Sequence, residues 1–421
     1  MLSLSILFWR FFLFVAVYGI TIGLGGKSFS HLATEYFPPS NDGHSFDKKK
    51  VQALLNQASF VNLKEKSFDF VSNDHTFRVE TSLNIGLQNY LLSKLNTSTA
   101  RYIGIVAMDP ANGKILSMVS FNKVDPSDNP CLDNRFPAAS IFKIVTASAA
   151  IEKYGFSSNH VFTYNGMKHT LYKSQLKERK NRFTNRITFK DAFAQSVNPV
   201  FGKIGALYLG KEKLEENAKA FGFNRDINFE IIVDPSCVAL SDKPYQWAEI
   251  ASGFNNKTKI SPLHGAMIAS AIINQGRLLE PTIIDRIVNE KGRIIYKGKL
   301  VPMSQVMAPN ASQTLNRLME NTIKSGTGRK AFRRYRRDKI LSRLNIGGKT
   351  GSIDNKTHDA RYDWFVGFAE EKKAGKKIAL SVIVAHEKYI GLRASYYARI
   401  AMKKYFKDTF KNNQDLANKA G

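Results

Sequence analysis

Three runs near the end of the chain, IGGKTGSI (346–353), DWFVGFAE (363–370) and KIALSVIVAHE (377–387), are short, β-rich and separated by turn-length polar segments. That spacing predicts an antiparallel meander. The amphipathic stretch from Ser395 to about Phe410 predicts a helix behind it. Two further strands are read far upstream, where YIGIVAM (102–108) and ILSMVS (115–120) flank the turn residues Asp109 to Lys114. Between the two strand groups the pattern turns helical. One helix is expected from Ala139 or Ser140 to Tyr154, stopped by Gly155. Another opens on Thr188 with Asp191 as its capping partner, and FGKIGALYLG (201–210) is a helical stretch ending at Gly210. Ser261 with Pro262 opens a helix that ends near Gly276, and residues 310–324 are helical by period. Strands at both ends of the sequence with helices between them predict an α+β domain. Its antiparallel five-stranded sheet is flanked by helices, with a helical subdomain inserted beside it.

The chain has 421 residues, 43% of them hydrophobic, which suits one large domain with appendages or two ordinary ones and excludes a disordered chain. Its 62 Lys plus Arg against 35 Asp plus Glu leave a net charge of +27. Such a charge favours anionic surroundings: nucleic acid, phospholipid headgroups or a polyanionic wall polymer. The N-terminus chooses among them. Phe11 to Gly26 is free of charge, with Arg10 before it and Lys27 after it. At roughly 1.5 Å per residue this run reaches about 24 Å, a membrane span if Leu2–Trp9 contributes. An uncleaved anchor and a cleaved signal both place the rest of the chain outside the cytoplasm, which disfavours nucleic acid as a partner.

Cys131 and Cys237 are too few for a Cys-rich metal site, and His264, His358 and His386 lack metal-ligand spacing. No metal or cofactor is expected. In an oxidising compartment the two cysteines could form one disulfide or remain thiols. Arg329 to Lys339 holds seven basic residues in eleven, read as a solvated loop first and as a contact for phospholipid or anionic glycan second. Trp364, Phe365 and Phe368 are read as strand core.

Chemistry is suggested by Ser140-Ile141-Phe142-Lys143. Residues three apart share a helix face, and a serine hydroxyl becomes nucleophilic beside an amine kept neutral by burial. The same spacing recurs at Ser45, Ser120 and Ser174, so the triplet needs support. Ser196-Val197-Asn198 supplies a hydroxyl and an amide suited to relaying a proton and orienting a peptide, though a helix N-cap would explain Ser196 equally. Similar triplets begin at Ser82, Ser120, Ser127 and Ser157. Lys349-Thr350-Gly351-Ser352 occurs once. It offers a cation and a hydroxyl to a carboxylate, on a strand whose Gly347, Gly348 and Gly351 admit another backbone or a ligand.

The three motifs in this order resemble the transpeptidase domain of penicillin-binding proteins, a superfamily shared with serine β-lactamases. The hairpin at 102–120, ISPLHGAMIASAIINQGR (260–277), GTGRKAF (326–332) and DWFVGFA share the likeness, which runs from about Arg78 to Phe410. It implies Ser140 as nucleophile, Lys143 as its base and Ser196 as proton relay to the leaving amine. Asn198 would hold the substrate amide, and Lys349 with Thr350, Gly351 and Ser352 would bind the substrate. The backbone N–H groups of Ser140 and Ser352 would form the oxyanion hole.

The implied reaction is acylation by a D-Ala-D-Ala stem peptide and transfer to an amine of a neighbouring peptidoglycan stem, with β-lactams as covalent inhibitors. The alternatives are a D,D-carboxypeptidase, a β-lactamase or β-lactam sensor, and a catalytically silent scaffold of the wall-synthesis complex. No Glu between Asn198 and Lys349 has Asn four residues later, so the water-activating pattern of class A β-lactamases is missing. The implied organisation is an anchor or signal at 1–26, a juxtamembrane segment without a core of its own at 27–77, the transpeptidase domain at 78–410 and a polar tail at 411–421. That is class B-like, with no room for a glycosyltransferase domain ahead of the catalytic unit. Membrane lipid and a glycan polymerase are the other expected partners, at the inner membrane with the catalytic domain in the periplasm or extracytoplasmic space.

Overall fold

The structure, a computed structural model, describes residues 46–420 apart from 56, 73 and 356. One compact unit holds the described chain except residues 71–75. At its centre is an antiparallel sheet of β1 (Ala100–Met108), β2 (Ile115–Asn122), β3 (Leu344–Asp354), β4 (Arg361–Glu371) and β5 (Lys377–His386). The strand order is β3-β4-β5-β1-β2, so the upstream hairpin and the late meander share one sheet and β3 is an edge. Val106 pairs with Ser381 and Gly348 with Gly367, in unbroken register along β3 and β4.

Both faces of the sheet are covered, which is why β4 and β5 read as continuous apolar runs rather than as alternating ones. On one face, α7 (Ala394–Ala420) packs Tyr397, Met402 and Phe406 against Ile103, Phe365 and Val382. The other face carries α5 (Pro262–Ile273), which is buried along its whole length and so is apolar all round. Trp364, Phe365 and Phe368 lie in the core, as the strand pattern predicts.

The helical insert follows its punctuation closely. A 3₁₀ turn at Ala139–Phe142 leads into α1 (Lys143–Tyr154), stopped by Gly155 at φ +62°. Thr188 caps α2 (Phe189–Ala194) by accepting from the Asp191 N–H. Then come α3 (Asn198–Lys203), α4 (Pro244–Ser252), α5 with Ser261 as its N-cap, and α6 (Pro309–Lys324). The expected stop at Gly210 is only a break. A π turn at Ile204–Leu209 reaches Gly210 at φ +67°, and helix resumes at once over Gly210–Ala220. Similarly, α7 runs through the polar segment after Phe410 to Ala420.

The segment ahead of residue 78 also differs from expectation. Residues Lys48–Leu54 form a helix with Val51 buried, and the buried Lys48 ammonium donates to Glu280 at 3.0 Å and to the Pro281 carbonyl at 2.9 Å. Phe77 to Thr81 pair with the strand Ile284–Asn289. Of the two states left open for the cysteines, the structure shows free thiols. Cys131 is buried with its thiol donating to the Val119 carbonyl at 3.2 Å, whereas Cys237 is exposed, and both are free. Among the described residues no helix is long and apolar enough to cross a membrane, and no His, Cys, Asp and Glu group could hold a metal. The anchor expected at 1–26 lies outside the described residues.

Candidate active site

Ser140 stands in the 3₁₀ turn and Lys143 opens α1. In a 3₁₀ turn residues three apart eclipse one another, so the S-x-x-K spacing stacks the two side chains directly. Lys143 Nζ lies 2.9 Å from Ser140 Oγ. Its other partners are Asn198 Oδ1 at 2.7 Å and the Ser252 carbonyl. Both of those oxygens only accept. A neutral Lys143 therefore directs its N–H bonds to them and its lone pair to the Ser140 hydroxyl.

Burial favours that neutral state. Lys143 is fully buried, and desolvation, reinforced by the Lys349 charge, holds its pKa well below the usual lysine range. Lys349, on β3, is also fully buried, and desolvation lowers its pKa to about 7. No carboxylate pairs with either amine among the described residues; the nearby Asp363 binds Ser352 Oγ, Arg393 and the Ala394 N–H that opens α7. Lys349 Nζ donates to Ser196 Oγ at 3.0 Å, and Ser196 Oγ donates to Ser140 Oγ at 2.9 Å. With Lys143 neutral, the chain runs from Lys349 to Ser196, from Ser196 to Ser140 and from Ser140 to Lys143.

The N-cap reading of Ser196 is wrong. Val197 occupies that position for α3 without any side-chain bond, and Ser196 sits at φ +56° with its hydroxyl in the chain just described. Ala139, immediately before Ser140, is at φ +47°. Each such left-handed residue costs about 1–3 kcal/mol and persists where its surroundings hold it. Gly253 makes room for the turn at Ala139. At φ +64° it lies so close to the Ala139 carbonyl that any Cβ would collide with it.

A cleft of about 1290 Å³ opens over Ser140, Ser196, Asn198, Thr350 and Ser352. Its wall is the edge strand β3, and a Cβ built on Gly351 would lie 3.4 Å from Ser140 N. Gly347 and Gly348 serve another purpose than the expected ligand access: the Phe368 and Phe365 rings of β4 fill their Cβ positions. Asn198 is occupied at both ends, by Lys143 and by the His169 carbonyl at 2.9 Å. Of the competing triplets, Lys48 binds Glu280 and Lys123 binds Glu387, so Ser120 is not beside an available amine; Ser45 lies outside the described residues.

Three contributors escape the motif reading. Thr327 lines the cleft and shares a hydrogen bond with Thr350 Oγ1; its place in GTGRKAF was the available signal. His169 lines the cleft as an exposed side chain, its pKa lowered by desolvation and by the charges of Lys143, Lys349 and Lys168. Ser252 reaches Lys143 only through its backbone, which no residue-type pattern reveals.

The family model for the penicillin-binding protein transpeptidase domain matches residues 103–411. Stage V sporulation protein D of Bacillus subtilis is 25% identical over 338 residues, covering 74% of this chain and 51% of its own. Peptidoglycan D,D-transpeptidase PbpA of Mycolicibacterium smegmatis is 22% identical over 328 residues, 66% of this chain and 61% of its own. The chain thus spans about half the length of the first of these relatives. Among solved structures, the D,D-transpeptidase domain of a peptidoglycan glycosyltransferase from Eggerthella lenta superposes with a TM-score of 0.66 at 21% identity, over 86% of this chain and 91% of that one. The penicillin G acyl-enzyme complex of penicillin-binding protein A from M. tuberculosis gives 0.63 at 19%, over 78% and 80%. The domain match, the sheet with its helical insert and the three motifs meeting in one cleft agree, and the chain belongs to the penicillin-binding protein transpeptidase family.

Proposed function

We propose that the protein is a serine D,D-transpeptidase that cross-links peptidoglycan stem peptides through a Ser140 acyl-enzyme. The observation that carries this reading is the hydrogen-bonded chain linking Lys349, Ser196, Ser140 and Lys143, with both amines buried away from any carboxylate among the described residues. Ser140 Oγ attacks the carbonyl of the penultimate residue while its proton passes to Lys143. The Ser140 and Ser352 N–H groups receive the developing oxyanion. Collapse breaks the peptide bond, and a proton reaches the leaving D-Ala amine through Ser196. An amine of a neighbouring stem then attacks the ester, loses its proton by the reverse path and frees Ser140.

The edge of β3 suits an extended peptide, since a strand edge offers unpaired backbone groups on its open side. Lys349 with Thr350 would take the terminal carboxylate. Lys349 then exchanges part of its bonding to Ser196 for the substrate, and Asn198 exchanges the His169 carbonyl for the substrate amide. Asp354 and Asp363 are the acidic residues lining the cleft; Asp354 pairs with Arg361 at 3.4 Å and Asp363 is held by Arg393 and Ser352, so neither carboxylate is free to activate water on the acyl-enzyme. We place the catalytic unit, residues 78–410, outside the cytoplasm on an anchor at 1–26; the charge-free N-terminal run supports this.

The test incubates the purified full-length chain with a D-Ala-D-Ala pentapeptide and an amine acceptor, and separately with fluorescent penicillin. Release of D-Ala with formation of the cross-linked product, together with a stable penicillin adduct, is expected. D-Ala release without transfer would replace this reading by a carboxypeptidase. Rapid steady-state penicillin hydrolysis would replace it by a β-lactamase.

A further inference from the structure

Beside the catalytic cleft lies a second depression whose composition the proposed reaction does not use. It is a groove of about 600 Å³ framed by Arg329, Lys330, Arg333, Arg334, Arg336 and Arg337, all exposed. Lys330 lines both the groove and the catalytic cleft. None of the six cations joins an ion pair among the described residues. Of the nearby acids, Glu320 pairs at 2.6 Å with Lys324, which also lines the groove, and Asp338 is engaged by Lys403 at 2.7 Å and by the Ile340 and Leu341 N–H groups, so neither neutralises the six.

A solvated basic loop would let such charges spread apart. Here the backbone holds them together. Phe332 N–H bonds the Gly328 carbonyl, Tyr335 N–H the Phe332 carbonyl and Arg337 N–H the Arg334 carbonyl, at 2.9–3.2 Å. The Phe332 ring is buried against Phe365 of the central sheet, with centroids 5.7 Å apart. From α7, Arg399 donates to the Ala331 carbonyl at 2.8 Å. Arg334 is kept at φ +59°, a strained conformation for an arginine. Like charges concentrated on a fixed turn repel one another, and a counter-anion relieves that repulsion.

The number and kind of cations define the anion. Guanidinium forks match the oxygens of carboxylates and phosphates, but a lone carboxylate engages only one or two of them. Six unpaired cations around one concave groove call for closely spaced negative groups on a narrow chain. A flat membrane surface fits a concavity less well. We propose that the groove framed by residues 329–337 binds a linear oligophosphate or phosphodiester chain, which then lies along the rim of the catalytic cleft at Lys330. This assignment is independent of the Ser140 chemistry.

The probe is inorganic tripolyphosphate, titrated calorimetrically into the full-length chain at about 50 and about 200 mM salt. Saturable binding is expected, weakened about tenfold or more by the added salt. Binding should also weaken at least about tenfold in Arg333→Glu/Arg336→Glu, while fluorescent-penicillin labelling stays as in the parent and reports an intact fold. Should that pair fail to fold, Arg334→Gln/Arg337→Gln offers a milder change, with a several-fold loss expected. The proposal is overturned by three results: no tripolyphosphate binding at low salt, binding that folded charge variants retain undiminished, or charge-dependent adsorption only to phosphatidylglycerol vesicles. The last would make the patch a membrane contact.

Discussion

Two buried regions of this molecule are built on opposite principles. Between the sheet and α7 the enclosed side chains are chiefly aromatic and aliphatic, and the Tyr397 hydroxyl is satisfied by accepting the Asn96 N–H at 2.9 Å. In the cleft the enclosed groups are two amines without a counter-charge, next to two residues in left-handed backbone conformations. Burial stabilises the first region and destabilises the second. The first holds the fold; the second keeps Lys143 able to accept a proton. Residues that are equally inaccessible to water therefore differ in what their removal should do.

The largest effect expected is on Ser140. Ser140→Ala should lower acylation by at least about 10³-fold without shifting the unfolding transition by more than a fraction of a kcal/mol. Mass spectrometry of the penicillin adduct is the check, and an adduct on Ser45, Ser120 or Ser174 would break the contrast at its root. Next comes the packed region. Phe406→Ala should cost about 3–5 kcal/mol in denaturant unfolding while the folded fraction still labels with penicillin. Loss of labelling in fully folded protein would mean that the two regions are not separable.

Lys349 sharpens the comparison through pH. Its folded pKa of about 7 lies below the ordinary lysine value, so between those two values the unfolded chain binds more protons than the native one. This lysine's contribution to stability should accordingly rise with pH above about 7, by up to about 1.4 kcal/mol per unit, and stay flat below. Lys349→Met should flatten that rise and gain on the order of 2 kcal/mol at pH 7 while losing acylation by carboxylate-bearing substrates. Urea unfolding at pH 7 and pH 9 reads both; identical slopes in the parent and the variant would show that Lys349 is not desolvated. The smallest effect is at Ala139. Ala139→Gly should relieve its φ of +47° and stabilise by about 0.5–1 kcal/mol, measured as a modest rise in Tm. A destabilised variant would mean that Ala139 is held without strain.

Much of this architecture is written in periodicity. The five strands and α1, α5 and α6 carry runs, caps and stops strong enough to be read singly, because local chemistry and tertiary need agree there. Residues 411–420 have no apolar stripe to announce that α7 continues, and the π turn at Ile204–Leu209 has no sequence signature. The helix at Lys48–Leu54 owes its place to partners more than 170 residues away, which a local reading takes for a linker. In the cleft, Ser140, Lys143, Ser196 and Lys349 could be chosen from their motifs. The left-handed turn of Ser196, the Ser252 carbonyl and the double engagement of Asn198 are products of the tertiary path. The different settings of Cys131, buried, and Cys237, exposed, are another, which composition does not encode.

The absence of a carboxylate beside Lys349 among the described residues reaches beyond acylation. An anionic ligand entering the cleft supplies the missing counter-charge and restores the cationic state of this lysine, so it is taken up together with a proton. Affinity for such ligands is thermodynamically tied to acidity, falling as solvent protons become scarce above neutrality. Calorimetry in buffers of different ionisation enthalpy separates that captured proton from the intrinsic heat of association, and a neutral isostere should show none of it.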